Sequence, residues 1–390
     1  MRTVLPVPLA PLVSASLSTR AALARAAAPR PRLARALRAL LPLLVALAIA
    51  GCSAGAGASS GAGASSGAGA SSGASSSGSA SIPASAVTGV PAGSSSTASS
   101  AGSSPASASF PLTVRDDEGA SVTIPRDPAR IVSLAPSVTE TLFALGEGGR
   151  VVGVTSSDDY PAAVKSIPQV ATYNGVEMEK LVAAQPDLVI GFKGITSTTD
   201  VAHIRSLGLS LVMLDATTLP AVFADIVLVG DATGEAGIAQ SLANRLSSEA
   251  AAVTAAVSHD ARPRVFYELD ATKSIYTPAP DDFTTDLIRR AGGDPITSGV
   301  PGVYSISLER LVAADPQVIV LGDANYGTTA TMVAARPGWS VMTAVRDHAI
   351  RPVDDTIITR PGPRIVEGLE VLARAIHPGA ALPSLPPVTE

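Results

Sequence analysis

The stretch "MEKLVAAQPDLVI", Met178 to Ile190, nearly recurs as "LERLVAADPQVIV", Leu308 to Val320. Both copies place a glutamate second and a proline ninth, then turn into a short β-branched run. A proline cannot continue a helix, so each copy predicts a short helix that stops at Pro186 or Pro316 and leads into a buried strand. One such unit in each half of the chain predicts two similar α/β lobes.

The flanking sequence fills in both lobes. In the first, "RIVSLAP" (Arg130–Pro136), "RVVGVT", "DLVIGF" and "LSLVML" are strands, and "SVTETLFALG" and a segment around Val201–Leu207 are helices. Ser137 and Glu140 have the spacing of a capping box, and Gly146 suits the C-terminal end of that helix. In the second, "RPRVFYELD" (Arg262–Asp270) and "VIVLGD" are strands, while "DFTTDLIRRAGG" and Arg364–Ile376 are helices. Between the series, Ile238, Leu242, Leu246, Ala250, Val253 and Val257 recur with a helical period. They predict one connecting rod of ~37 Å. The expected layout is a lobe over 110–233, a long helix over 234–260, a second lobe over 261–378 and a tail over 379–390.

The first quarter of the 390-residue chain is of another kind. Seven arginines from Arg2 to Arg38 precede the apolar run "ALLPLLVALAIA" (Ala39–Ala50), and no acidic residue occurs before Asp116. That is a secretory signal over 1–52, whose apolar run, rising ~18 Å as a helix, is too short to span a bilayer. Cys52 is the single cysteine, and Ile49-Ala50-Gly51-Cys52 resembles the bacterial lipobox, where cleavage exposes a cysteine for lipidation. The expectation is a secreted protein held at the outer face of the cytoplasmic membrane by a lipid on Cys52. Residues 53–109 are almost entirely Gly, Ala, Ser and Pro with few large side chains, and "GAGASS" occurs three times in succession. Such a segment has nothing to bury and is expected to be a disordered tether with a reach of roughly 40 Å.

Removing residues 1–52 leaves 21 basic against 33 acidic residues, a formal charge of −12. This argues against nucleic acid as a partner and suits docking onto a basic surface. No Walker loop, H-E-x-x-H or nucleophile–base arrangement is present, and Gly51–Gly55 matches G-x-S-x-G without the strand and helix that motif needs. The sequence therefore predicts no catalytic residues. His203, His259, His348 and His377 are too scattered for a metal site, so no intrinsic cofactor or metal is expected, and any metal should arrive already chelated.

The ordered set "RIVSLAPSVTETLFALG", "VVGVTSSDDYP", "PQVATYNGVEMEKLVAAQPDLVI", "DLIRRAGG", "SLERLVAADPQVIV" and "PGPRIVEGLEVLARAI" resembles the helical-backbone substrate-binding proteins of ABC importers, which serve vitamin B12, ferric siderophores and haem. The likeness is greatest to the vitamin B12 branch and spans nearly all of residues 111–378. It implies two Rossmann-like lobes joined by the backbone helix, with the ligand in the cleft between them. It also implies a monomer that delivers cobalamin or a ferric siderophore, alternatively haem, to a permease dimer with its ATPase subunits. In that family a surface glutamate on each lobe docks into arginine pockets of the permease, and these glutamates carry over to Glu179 and Glu309.

For the cleft, ligands of such sheets sit beyond the C-terminal strand ends. Tyr173, Phe192, Tyr276, Tyr304 and Tyr326 fall in or near such loops, although the chain has only 13 aromatic residues. Flat ligands are held by aromatic faces and a few polar groups. Tyr173, Phe192 and Tyr276 correspond to aromatic cleft positions of the B12 branch, while Ser157 and Val303 stand where further aromatics would be. Arg360 falls in a ligand-contacting stretch of those relatives, offset by one residue from Asp355. Its guanidinium would either meet a phosphate or carboxylate of the ligand or close a structural salt bridge.

Overall fold

The computed structural model of the protein describes residues 109–386 and 388. The signal, Cys52 and the tether up to residue 108 lie outside the described residues. The chain enters through an antiparallel hairpin, β1 (Leu112–Arg115) and β2 (Ser121–Ile124). The first lobe follows as β3 (Ile131–Ser133), α1 (Pro136–Ala144), β4 (Val151–Thr155), β5 (Gln169–Thr172), β6 (Gly175–Val176), α2 (Met178–Ala183), β7 (Leu188–Phe192), α3 (Thr198–Ser206) and β8 (Leu211–Leu214). Its sheet has the order β6-β5-β4-β3-β7-β8 and is parallel except for β6. Strands β3, β7 and β8 are buried at every position, the pattern of strands covered on both faces. The chain winds one way from β3 to β5 and the other way through β7 and β8, so a crevice opens beyond the ends of β3 and β7.

The first lobe ends in a helix that the sequence did not signal, α4 (Leu219–Thr233), which stops at Gly234 in the left-handed conformation with φ 86°. The connecting segment that packs against it is the expected single rod, α5 (Ala236–Ala256). The first helix left no periodic signature because it is apolar almost all round, from Leu219 and Val222 to Ile226 and Val229. The second helix is ~31 Å long and buries Leu242, Leu246, Ala250 and Val253. Ile238 turns outward and is 47% exposed, with Ala239 taking the inward place. The reason is a close approach: a Cβ on Gly230 would stand 2.2 Å from the Ala239 Cβ, so only glycine fits there.

The second lobe comprises β9 (Arg264–Glu268), β10 (Ile275–Tyr276), α6 (Phe283–Arg290), β11 (Asp294–Pro295), β12 (Ser305–Ile306), α7 (Leu308–Ala314), β13 (Val318–Leu321), α8 (Ala330–Ala334), α9 (Thr343–Arg346), β14 (Ile350–Pro352) and α10 (Ile365–Ile376). Its parallel sheet has the order β11-β9-β13-β14, and β10 pairs separately with β12. One apolar cluster runs from Ile131, Val138 and Leu188 through Val222, Leu246 and Val253 into Val265, Leu287 and Leu369, so the two lobes and the helix pair share a core. Each sheet has its own cluster on the other face, around Leu181 and Met213 in one lobe and Leu311 and Ile319 in the other.

The doubled stretch is structurally doubled as well. Leu181 and Leu311, at the same place in each copy, are both fully buried. Gln185 and Asp315, before the prolines, both take positive φ, at 46° and 43°. An arginine then closes each helix. Arg130 Nε donates to the Ala184 and Gln185 carbonyls at 2.9 and 3.2 Å, and Arg264 Nε to those of Ala314 and Asp315 at 2.8 and 3.0 Å. Both cations satisfy carbonyls that a helix end leaves open.

Asp225 on α4 is 4% exposed, and among the described residues its Oδ2 has no hydrogen-bond partner, although its carboxyl bonds that of Asp117. Burial and then the neighbouring Asp117 carboxyl push its pKa up to about 9. Burial likewise pushes Glu268 up to about 7, against its pairing with Arg336. A carboxyl with a raised folded pKa stabilises fully below its unfolded pKa, and that stability is lost as pH rises through the folded value. Chemical denaturation should therefore show stability falling from pH 4 towards pH 9. Asp225→Asn should flatten the upper part of that slope and raise stability at pH 8 by ~2 kcal/mol or more.

Candidate functional site

The loops that leave the C-terminal ends of both sheets face each other across a cleft of about 1150 Å³, counting its open mouth. The first lobe contributes Leu134, Pro136 and Ser137 after β3, Thr155 at the end of β4 with Ser157 beyond it, Thr172 at the end of β5 with Tyr173 beyond it, and Ile195 and Thr196 after β7. The second contributes Leu269 after β9, Tyr326 after β13, and Asp355, Thr356, Thr359 and Arg360 after β14. Both sheets thus present their topological switch points to the same space.

Of the side chains expected in the cleft, Tyr173, Tyr326 and Arg360 line it, with the two tyrosines on opposite lobes. Phe192, Tyr276 and Tyr304 lie outside the lining. Phe192 is 6% exposed and belongs to the shared core. Tyr276 is half-buried in the β10–β12 ribbon, and Tyr304 donates its hydroxyl to Asp282 Oδ2 at 2.8 Å. Phe192 ends β7, Tyr276 ends β10 and Tyr304 precedes β12, so their place near strand ends was legible but the direction of each side chain was not. Sequence reasoning missed the hydroxyls Ser137, Thr155, Thr196, Thr356 and Thr359, whose only signal is their position just past a strand. Trp339, the one tryptophan, packs edge-on to Phe266 with ring centroids 6.0 Å apart in the outer cluster of the second lobe, away from the cleft.

The expected capping box does not form. Pro136 occupies the first turn of α1, the N-cap is Ala135, and no side chain caps the helix. Glu140 instead reaches across to the other lobe. Arg364 grips it from two sides, Nε to Oε2 at 2.9 Å and Nη2 to Oε1 at 2.6 Å, and Arg360 Nη1 donates to Oε1 at 3.2 Å. Arg360 also donates from Nη1 to Asp159 Oδ1 at 2.5 Å and from Nη2 to the Ser157 carbonyl at 3.3 Å. Arg364 lies over the Tyr160 ring at 4.0 Å. Burial would lower the pKa of Arg360, but Asp159 and Glu140 outweigh it and raise it. Arg360 therefore closes an inter-lobe salt bridge at the edge of the cleft.

The floor on the second lobe is held by Tyr267, whose hydroxyl donates to Asp355 Oδ1 at 2.8 Å. Gly322 admits that tyrosine, because a Cβ there would stand 2.5 Å from its ring. Among the described residues, no group of three or more His, Cys, Asp and Glu side chains is placed to hold a metal ion. Glu179 and Glu309 are both exposed, each second in its helix. Each of these helices leads straight back into a parallel strand, so its N-terminal end lies at the cleft end of the lobe. The Glu309 carboxyl is held below its ordinary pKa by its own backbone N–H and the Ser307 hydroxyl.

Two lobes with a shared core and a cleft lined from both sides have the architecture of a two-lobed ligand-binding protein. Residues 131–356 match the family model described as periplasmic binding protein, and the chain belongs to that family. An ABC transporter substrate-binding lipoprotein of Bacillus subtilis, YvrC, is 34% identical over 275 residues, covering 69% of this chain and 86% of the relative. A cobalamin-binding protein of Halobacterium salinarum is 31% identical over 280 residues, covering 69% of this chain and 75% of the relative. Among solved structures, the periplasmic haem-binding protein RhuT of Roseiflexus sp. RS-1 superposes with a TM-score of 0.58 at 29% identity, covering 64% of this chain and 98% of that one.

Glu140 is 3% exposed and balances two guanidiniums. Glu140→Ala should cost ~3–5 kcal/mol, as expected when a buried pair loses one partner. The side chain of Asp159 is 57% exposed, so Asp159→Asn should cost less than ~1 kcal/mol. Thermal melts of both variants against the parent check the contrast.

Proposed function

We propose that the protein captures a chelated metal, cobalamin or a ferric siderophore, in the inter-lobe cleft and delivers it to an ABC importer. A lipid on Cys52 would hold it at the outer face of the membrane, with the Gly/Ala/Ser segment as its tether. Of the two ligands, cobalamin is the better fit. The observation that carries this reading is the chemistry of the cleft. Tyr173 and Tyr326 line it from opposite lobes among short hydroxyls, and Arg360 is the one cation in the lining among the described residues. That cation is already engaged by Glu140 and Asp159. A flat, amide-rich and uncharged ligand suits such walls, whereas a multiply anionic chelate finds little to neutralise it. The similarity to a cobalamin-binding relative supports the same choice. The likeness to a haem-binding structure keeps haem as the alternative, with Tyr173 as the candidate iron ligand.

Calorimetric titration with cyanocobalamin, haem and a ferric siderophore tests the reading. A stoichiometric, saturable heat with cyanocobalamin is the expected outcome. Tyr173→Ala and Tyr326→Ala should each weaken it by roughly tenfold, the loss of one aromatic wall. Absence of binding to all three ligands would reject the proposal.

Glu179 and Glu309 are proposed to dock the two lobes onto the two permease subunits. Exposed carboxylates that pair only in the complex affect association rather than folding. The double variant Glu179→Ala, Glu309→Ala should keep ligand affinity and melting temperature within the ~0.5 kcal/mol usual for surface changes. Uptake in cells should collapse, and each single variant should show a partial defect.

A further inference from the structure

We infer that Glu140 and Asp159 set the charge selectivity of the cleft: by neutralising Arg360, they make the site favour uncharged chelates over anionic ones. The inference rests on the cleft being the ligand site. Arg360 lines the cleft, and its Nη1 is shared between Glu140 Oε1 at 3.2 Å and Asp159 Oδ1 at 2.5 Å, while Nη2 is spent on the Ser157 carbonyl. Glu140 is also the partner of Arg364, so two carboxylates from the first lobe balance two guanidiniums from the second. The other charged side chains of the lining, Asp200 and Asp355, are both acidic. An anionic ligand entering this space meets a spent cation and two carboxyl groups. With Asp159 or Glu140 neutralised, the same ligand would meet a guanidinium carrying uncompensated charge.

Both carboxylates act through Arg360 and need not touch the ligand, so they are positioning residues. A role confined to holding the lobes together would change stability and leave the preference among ligands alone. Asp159 is the safer probe, since its side chain is 57% exposed against 2% for Glu140.

The experiment is calorimetric titration of the parent protein, Asp159→Asn and Glu140→Gln with cyanocobalamin, which is uncharged, and with haem and a ferric tris-catecholate, which are anionic. Asp159→Asn should leave cyanocobalamin affinity within about twofold and tighten both anionic ligands by about tenfold, the size of effect seen for close charge pairs. That gain should shrink as salt is raised. Glu140→Gln should shift the preference in the same direction, and if it fails to fold, Asp159→Asn decides alone. Equal changes for charged and uncharged ligands, or no change for the anionic ones, would overturn the inference and leave the cluster a structural clasp. If the parent protein takes up none of the three ligands, the assignment of the cleft itself falls, and the inference with it.

Discussion

The contact on which the rest depends is the packing of α4 against the connecting helix α5. Gly230 lets α4 lie directly against Ala239 of α5, and the apolar faces of the pair run without a break into both sheets. Two lobes joined only by a flexible strand pair would drift apart, and their cleft would have no fixed width. A shared core removes that freedom, because separating the lobes would expose apolar surface at ~25 cal/mol per Å². The loops that line the cleft are thereby held opposite each other before any ligand arrives.

A second bond across the lobes acts at the cleft itself. Glu140, Arg360 and Arg364 come together from opposite lobes in a site where the glutamate is 3% exposed. Such a buried pairing contributes little net stability, since desolvation offsets most of the attraction. What it contributes is geometry and charge. It fixes the edge of the cleft and engages Arg360, the one cation in the lining among the described residues, so that the rest of the lining is largely aromatic, aliphatic and hydroxyl side chains.

The duplication answers a different constraint. Each lobe carries the same helix, the same left-handed residue before a proline and the same arginine closing the helix end. Nothing in the ligand site uses this symmetry, because Tyr173 and Tyr326 come from loops that are not part of the repeat. What the repeat does present twice is an exposed glutamate, Glu179 in one lobe and Glu309 in the other, each second in its helix.

The alternation of apolar strands with proline-stopped helices was enough to set the fold class, since buried parallel strands and amphipathic helices leave distinct periods in the sequence. The doubled glutamates were legible for the same reason, as local features of two short helices. α4 was not legible, because its sequence is apolar on its outer face as well as its inner one and so has no polar stripe to give it a period. Glu140 was misread as half of a capping box. Its spacing from Ser137 is a local fact, but its partners Arg360 and Arg364 lie more than two hundred residues away, at separations of 220 and 224. The same limit applied to Phe192, Tyr276 and Tyr304, whose places near strand ends were foreseen and whose side-chain directions were not. Sequence by itself determined which elements form and in what order, because those follow from neighbours along the chain. Only the tertiary structure decided which side chains face the cleft and which charges are spent, because those depend on residues the chain brings together only when it folds.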